Sequence, residues 1–208
     1  MIRFLYGAQL DREPMLAASM FSDRAKQFRD RLNWPVLVDD QGHERDAYDD
    51  ENPLYVIAEG PAGQHMGSMR FLPTTGPTML NEVFPDVAGG QIVSPLIWEC
   101  TRFCLSPDGV REGTISTSLM LAAAELGQRF HLAHAAAVFD RPMIRIYRTL
   151  GWAPEVLGDA EYGEARICVG LWDFASAPLA QLRDRAGVSE KTTDRWFREA
   201  FRTGRTSA

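Results

Sequence analysis

The sequence predicts one α/β (α+β) domain: a single sheet with flanking helices, three layers deep. Two observations lead there. Short runs rich in Ile, Val, Phe, Trp and Cys alternate along the chain with stretches of helical period. The 208 residues are 45% hydrophobic and 24% charged, enough for one sizeable core, with or without a small appendage. The organising stretch is SPLIWECTRFCLSP at 94–107, fenced by Pro95 and Pro107 and interrupted only by Glu99, Thr101 and Arg102. Its length and its Ile, Trp, Phe, Thr and Cys content suit a buried strand. A buried strand with Glu and Arg three apart must pair or solvate both charges, because an isolated buried carboxylate is costly or becomes neutral. Either these charges form a structural ion pair with neighbours, or they have a chemical task.

Before that stretch, IRFLYG at 2–7 reads as a first strand, and a helix is expected from about Pro14 to Leu32, ending before Pro35. Arg24, Phe28 and Arg31 recur along it at i, i+4 and i+7 and share a face. Two arginines and an aromatic suit something anionic and flat; the alternative is that Phe28 and Trp34 merely dock the helix. Asp39 to Glu51 carries seven carboxylates against one Arg. It is either a solvated loop or a set of partners for arginines of the preceding helix. LYVIAE (54–59) and MGSMRFLP (66–73) form a hairpin through Gly60, Pro61 and Gly63, with Arg70 charged in an apolar setting. Residues 74–90 show little regular period.

Beyond the central strand come a small-residue helix at 113–130, a strand at 131–139 and a helix at 140–152. In the last, Asp140 is the expected N-cap, Pro142 lies in the first turn and Gly151 closes the helix. Met143, Ile146, Tyr147 and Leu150 take one side of it, and Arg141, Arg145 and Arg148 the other. ARICVGLWDF at 165–174 returns to the sheet. The tail at 178–201 reads as helix, Gly turn and helix, either covering the sheet or imitating a helix-turn-helix DNA reader.

A formal net charge of −6 speaks against sequence-independent nucleic-acid binding. Cys100, Cys104 and Cys168 have no metal-ligand spacing and read as buried thiols in a reducing compartment, so no metal is expected. The N-terminus lacks a basic region followed by an apolar one, and no apolar run approaches membrane-spanning length. The expected location is cytoplasmic, with no membrane partner.

Arg24, Phe28, Trp34, Asp46, Asp49, Arg70, Glu99 and Arg102, in this order and at these separations, resemble the signature of the acyl-homoserine-lactone synthases, the LuxI-type autoinducer synthases. The likeness covers roughly residues 1–105, continues more loosely through RPMIRIYRTLGW to about 155, and has no motif beyond about 175. It implies a fold similar to the Gcn5-type N-acyltransferases. Within one domain, 1–208, it implies a mobile S-adenosylmethionine-binding part (1–52), an acyltransferase-like core (53–175) and a C-terminal helical appendage (176–208). It also implies a reaction between S-adenosyl-L-methionine, a substrate rather than a cofactor, and an acyl carrier protein thioester, with acyl-CoA as the other donor. The methionine amine takes the acyl group, and its carboxylate then closes on the carbon bearing sulfur, giving a lactone and methylthioadenosine.

Residue types fit that chemistry. An ammonium must lose a proton before attacking, and Glu99 is the candidate base. Arg70 and Arg102 would hold Glu99, Asp46 and Asp49 in an ion-pair network under the N-terminal flap, leaving backbone N–H groups near Arg102 and Phe103 for the thioester carbonyl. Phe28, Trp34 and Phe103, with acidic neighbours, would face the sulfonium and adenine. Arg24, supported by Arg31, would take the substrate carboxylate. Thr101, Val138, Phe139 and Met143 would line the acyl channel, if they are not ordinary sheet packing. Ala135, Ala136 and Ala137 offer no hydroxyl, which leans towards an unsubstituted or 3-hydroxy chain. Arg141, Arg145 and Arg148 would dock an acidic carrier protein, or form a plain solvated face. Residues 108–116 lack a Q/R-x-x-G-x-G/A phosphate loop, which speaks for a carrier protein over coenzyme A. The rivals are a plain acetyl-CoA-type N-acetyltransferase and a DNA-binding regulator acting through the tail.

Overall fold

Apolar side chains on both faces of the central stretch make it the middle of a sheet rather than an edge. The computed structural model describes residues 1–107, 112–163 and 165–201. Among them, seven strands form one sheet: β1 (Ile2–Tyr6), β2 (Leu54–Glu59), β3 (His65–Pro73), β4 (Ile97–Leu105), β5 (His134–Asp140), β6 (Glu155–Tyr162) and β7 (Ala165–Asp173), in the order β1-β2-β3-β4-β5-β7-β6. All neighbours are antiparallel except β4 and β5. Those two run parallel and pair only at Ile97–His134, Trp98–Ala135 and Glu99–Ala136 before they part. The sheet therefore opens into a cleft just beyond Glu99. The helices are α1 (Gly7–Leu10), α2 (Pro14–Ala25), α3 (Met79–Val83), α4 (Glu112–Arg129), α5 (Met143–Leu150), α6 (Leu179–Ala186) and α7 (Glu190–Ala200).

Strand alternation sorts the core into two faces. Ile2, Phe4, Val56, Met69 and Phe71 share one apolar cluster with Leu119, Leu121, Ala122 and Leu126 of α4. Close packing on the sheet and on α6 explains the small residues of α4. A Cβ on Gly127 would stand 2.1 Å from the Phe174 ring, so only glycine lets α4 approach there. Leu182, Trp196 and Phe197 enter the same cluster, so the tail helices cover the sheet. Burying each aromatic stabilises the fold by roughly 2–3 kcal/mol. On the opposite face, α2 lays Leu16, Met20 and Phe21 against Leu5, Tyr55 and Ile57. Further along that face, Leu80 of α3 meets Ala136 and Val169. Arg70, Thr101 and Glu99 lie on this second face, since each shares it with a cross-strand partner: Tyr55 with Arg70, Arg70 with Thr101, and Leu72 with Glu99.

Four expectations are corrected. The helix from Pro14 does not stay α-helical to Leu32: Lys26–Arg31 is π-helical, with the Leu32 amide donating to the Gln27 carbonyl at 3.1 Å. Asp140 ends β5 instead of capping the next helix, which begins at Met143. Residues 74–90 contain α3 and a 3₁₀ turn at Pro85–Ala88. An edge strand, β6, precedes β7. Residues 108–111, on which the missing phosphate loop was argued, and 202–208 of the appendage lie outside the described residues. No described helix is long and apolar enough to cross a membrane.

Candidate active site

A bulge in β4 builds the site. Arg70 is paired with Thr101 and Ser68 with Cys104, so three steps along β4 meet two along β3. The extra residue is accommodated at Arg102, whose φ of 53° is left-handed. A non-glycine residue there costs about 1–3 kcal/mol and persists only where its surroundings hold it. Here they do: the Arg102 guanidinium reaches Glu44 at 2.8 Å and Asp46 at 2.7 Å and lies 5.3 Å from the Phe28 ring centre. The extra residue places Thr101 and Arg102 on the second face and returns Phe103 to the first. It also leaves Arg102 without a register partner in the β3–β4 ladder.

Around this bulge three arginines and three carboxylates form a closed knot. Arg24, from α2, donates to Glu44 at 2.6 Å and to both oxygens of Asp49 at 2.9 and 3.0 Å. Arg70 donates to Asp46, to Asp49 at 2.8 Å and to the Thr101 hydroxyl at 3.0 Å. The Tyr55 hydroxyl donates to Asp49 at 2.7 Å. Burial pushes the Asp49 carboxyl up, but the charges of Arg24 and Arg70 outweigh it and hold the group well below the usual carboxylate range. Asp46 begins a single 3₁₀ turn, Ala47–Asp49, which presents Asp46 and Asp49 to the arginines together. Thus the acidic segment does supply partners for the preceding helix. Glu44, which composition could not distinguish from its exposed acidic neighbours, is fully buried between Arg24 and Arg102. His65, with Nδ1 2.9 Å from Asp23 and Nε2 3.0 Å from Ser68, ties α2 to β3 and so seats Arg24.

Glu99 stands apart from the knot. Its carboxylate accepts from the backbone amides of Met79 at 3.1 Å and Leu80 at 2.6 Å, the first turn of α3. No ion pair reaches it among the described residues. Burial raises its pKa to about 7, against the pull of the Leu80 amide and the Arg70 charge. Asp23, Glu44, Asp49 and Glu125, also buried, each have a basic partner. Tyr48 bridges the two parts: its hydroxyl donates to Glu82 of α3 at 2.8 Å, and the Arg70 guanidinium lies 5.5 Å from its ring centre.

Several assignments change as a result. Glu99 is not held by Arg70 and Arg102, whose donors are taken by Thr101, Asp46, Asp49 and Glu44. Arg24 is fully buried with its donors committed to Glu44 and Asp49, so it presents no open cation to a substrate carboxylate. Arg31 leaves the face of Arg24 and Phe28 because the π turn rotates it outward, where it is exposed and donates to Gln27. Phe28 and Trp34 do come together, stacked with centroids 5.1 Å apart. Phe103 does not join them; it stacks on Tyr147 across the sheet at 6.4 Å. The four channel candidates divide: Thr101 and Val138 lie on the second face, whereas Phe139 packs edge-on to Tyr147 on the first, in the core against which Met143 also packs. The β4–β5 cleft lies between the two pairs. Arg141, Arg145 and Arg148 are exposed on and beside α5, Arg141 pairing with Asp159 at 3.1 Å. Among the described residues no cluster of His, Cys, Asp and Glu is arranged for a metal.

Comparisons with known proteins agree with this geometry. A family model described as autoinducer synthase matches residues 9–180. An acyl-homoserine-lactone synthase of Rhizobium etli is 38% identical over 189 residues, covering 88% of this chain and 89% of the relative. The isovaleryl-homoserine lactone synthase of Bradyrhizobium diazoefficiens is 32% identical over 165 residues, 77% of this chain and 74% of the relative. Among solved structures, the CoA-dependent acyl-homoserine lactone synthase BjaI, with SAM and isopentyl-CoA, superposes with a TM-score of 0.82 at 27% identity, covering 95% of this chain and 98% of BjaI. An acyl-CoA N-acyltransferase from Pseudomonas aeruginosa, at 14% identity and a TM-score of 0.54 over 83% of this chain and 98% of its own, shares the fold.

Proposed function

The chain belongs to the autoinducer synthase family, and from that membership we propose how its own residues make the signal. It is an acyltransferase, an acyl-homoserine-lactone synthase. S-adenosyl-L-methionine is a substrate in this scheme, and no separate cofactor is needed. Glu99 takes a proton from the methionine ammonium, directly or through a water. The freed amine nitrogen attacks the thioester carbonyl carbon, and the thiol leaves. The backbone amide at the Arg102 bulge would meet the developing oxyanion. The methionine carboxylate then attacks the carbon bound to the sulfonium, the C–S bond breaks onto sulfur, and methylthioadenosine departs.

One observation carries the assignment of the base: Glu99 is the buried carboxylate without a cation among the described residues. The charges of Arg24 and Arg70 hold Asp49 in its charged form, whereas Glu99 can gain and lose a proton near neutral pH. Phe28 and Trp34 offer a stacked aromatic pair beside Arg102 for the nucleoside. The knot of Arg24, Arg70 and Arg102 shapes the N-terminal wall rather than touching the reacting atoms.

For the donor, exposed Arg145 and Arg148, with Arg141 beside them, suit an acidic carrier protein. A second reading is favoured by BjaI and by MesI, which aligns at 26% identity with a TM-score of 0.77; both are described as CoA-dependent. Incubating the purified protein with S-adenosyl-L-methionine and a panel of acyl-carrier-protein and acyl-CoA thioesters, with mass spectrometry of the products, tests both readings. Methylthioadenosine with acyl-homoserine lactone is the expected result. Thiol release without methylthioadenosine would show a different acyltransfer.

A further inference from the structure

Thr78 immediately precedes the two amides that hold Glu99, and it is fully buried. Its backbone is extended, as at the start of a helical turn, but its side chain caps nothing. Among the described residues its Oγ1 has no hydrogen-bond partner. A threonine in that position ordinarily accepts from the amide two or three residues on. Here the first of these, Leu80 N–H, is already taken by Glu99 at 2.6 Å. The carboxylate of β4 has displaced the local cap, and a buried hydroxyl is left idle beside it.

That idle group has a consequence for the reaction. To collect a proton from the substrate amine, Glu99 must weaken its bonds to Met79 and Leu80, and a buried N–H without a partner is costly. We propose that Thr78 is a positioning residue that exchanges with Glu99: as the carboxylate turns to the ammonium, the Thr78 hydroxyl accepts from the vacated Leu80 amide. The loop stays in place because Asn81 anchors it, donating to and accepting from the Ile92 backbone at 2.9 Å each. Only short side-chain motions are needed.

The inference rests on Glu99 being the base, so the test separates the two. Methylthioadenosine release is measured against pH for wild type, Glu99→Gln, Thr78→Val and Thr78→Ser, with saturating S-adenosyl-L-methionine and one good thioester, each variant being checked for wild-type circular dichroism. Thr78→Val keeps shape and removes the hydroxyl; it should lose about 10-fold in kcat with KM nearly unchanged. Its acid limb should also move to lower pH, because Glu99 stays pinned to the amides that favour its charged form. Thr78→Ser should restore both. If Thr78→Val packs poorly, Thr78→Ala against Thr78→Ser asks the same question. Wild-type rate and pH profile in the hydroxyl-free variants, beside an inactive Glu99→Gln, overturn the exchange alone. A fully active Glu99→Gln overturns the base assignment and the exchange with it. A defect shared equally by serine and valine would mean packing, not hydrogen bonding, and also overturns it.

Discussion

Asp49 and Glu99 are both buried on the same face of one sheet, yet they sit on opposite sides of the ordinary carboxylate range. Asp49 is gripped by Arg24 and Arg70 and stays charged. Glu99 accepts from the Met79 and Leu80 amides, forms no ion pair among the described residues, and is pushed up to about 7 by burial. Burial alone therefore does not decide the state of an acid. A full opposite charge outweighs desolvation; two N–H groups do not. One region is a fixed charge lattice, the other a single carboxylate whose charge can change near neutral pH.

Removing the titratable group should break this contrast most strongly. Glu99→Gln is expected to lower methylthioadenosine release by about 10²–10⁴-fold while leaving the fold intact. Its urea unfolding midpoint at pH 8 should equal or exceed that of wild type, since the glutamine carries no buried charge. Cutting the lattice should act through structure instead. Arg70→Ala leaves Asp46 and Asp49 without a principal cation and should cost about 3–5 kcal/mol in denaturant unfolding. Hydrogen exchange should accelerate across residues 39–51 well before β5 and β7 open. A normally protected and fully active Arg70→Ala protein would sink the idea that the knot holds the wall.

The pH dependence of stability sharpens the same comparison, with opposite signs. Asp49 has a lowered pKa, so its stabilisation is present above its unfolded value of 3.8 and is lost as pH falls further. Glu99 has a raised pKa, so the native state holds the extra proton between its ordinary 4.5 and about 7. Stability should therefore decline across that interval by roughly 3 kcal/mol. Glu99→Gln should flatten that decline and leave the acid limb from the knot untouched, as read from unfolding free energies at closely spaced pH values. Catalysis should rise over the same interval as Glu99 ionises. The smallest effect lies outside both regions. Arg145→Glu with Arg148→Glu should lower kcat/KM severalfold for an acyl carrier protein at low salt, and less at high salt. Equal loss with a small neutral thioester would show that this face does not read a protein donor.

Most of the architecture was legible because its signals are local. Strand-length apolar runs marked six of the seven strands, and Gly151 ends α5 in a left-handed turn as its position suggested. The polar edge strand β6 was missed because an edge on the solvent side has little need of an apolar face, and EVLGDAEY shows almost none. The π turn was missed because its cause is tertiary: Phe28 is buried and stacked on Trp34, which the helical period cannot announce. Within the site, Arg70, Glu99 and Arg102 stood out as charges within strands, whereas Asp46 and Asp49 were singled out only by the family resemblance. Glu44 did not, since nothing in a run of seven acids says which of them turns inward. Thr78 and the amides of Met79 and Leu80 were invisible for another reason: backbone donors have no residue type, and their aim depends on a loop whose shape is fixed by Asn81 and Thr74.

The left-handed residue in β4 makes segment length as consequential as side-chain identity. On either side of Arg102 the strand has opposite parity, so Glu99 and Thr101 point one way with Cys104, while Cys100 and Phe103 point the other. Deleting Arg102 would restore a regular ladder, but at the loss of the left-handed residue whose guanidinium reaches Glu44 and Asp46. Single-residue deletion there should be far more damaging than any conservative substitution, and an engineer grafting this site onto a related sheet must copy the count before the chemistry.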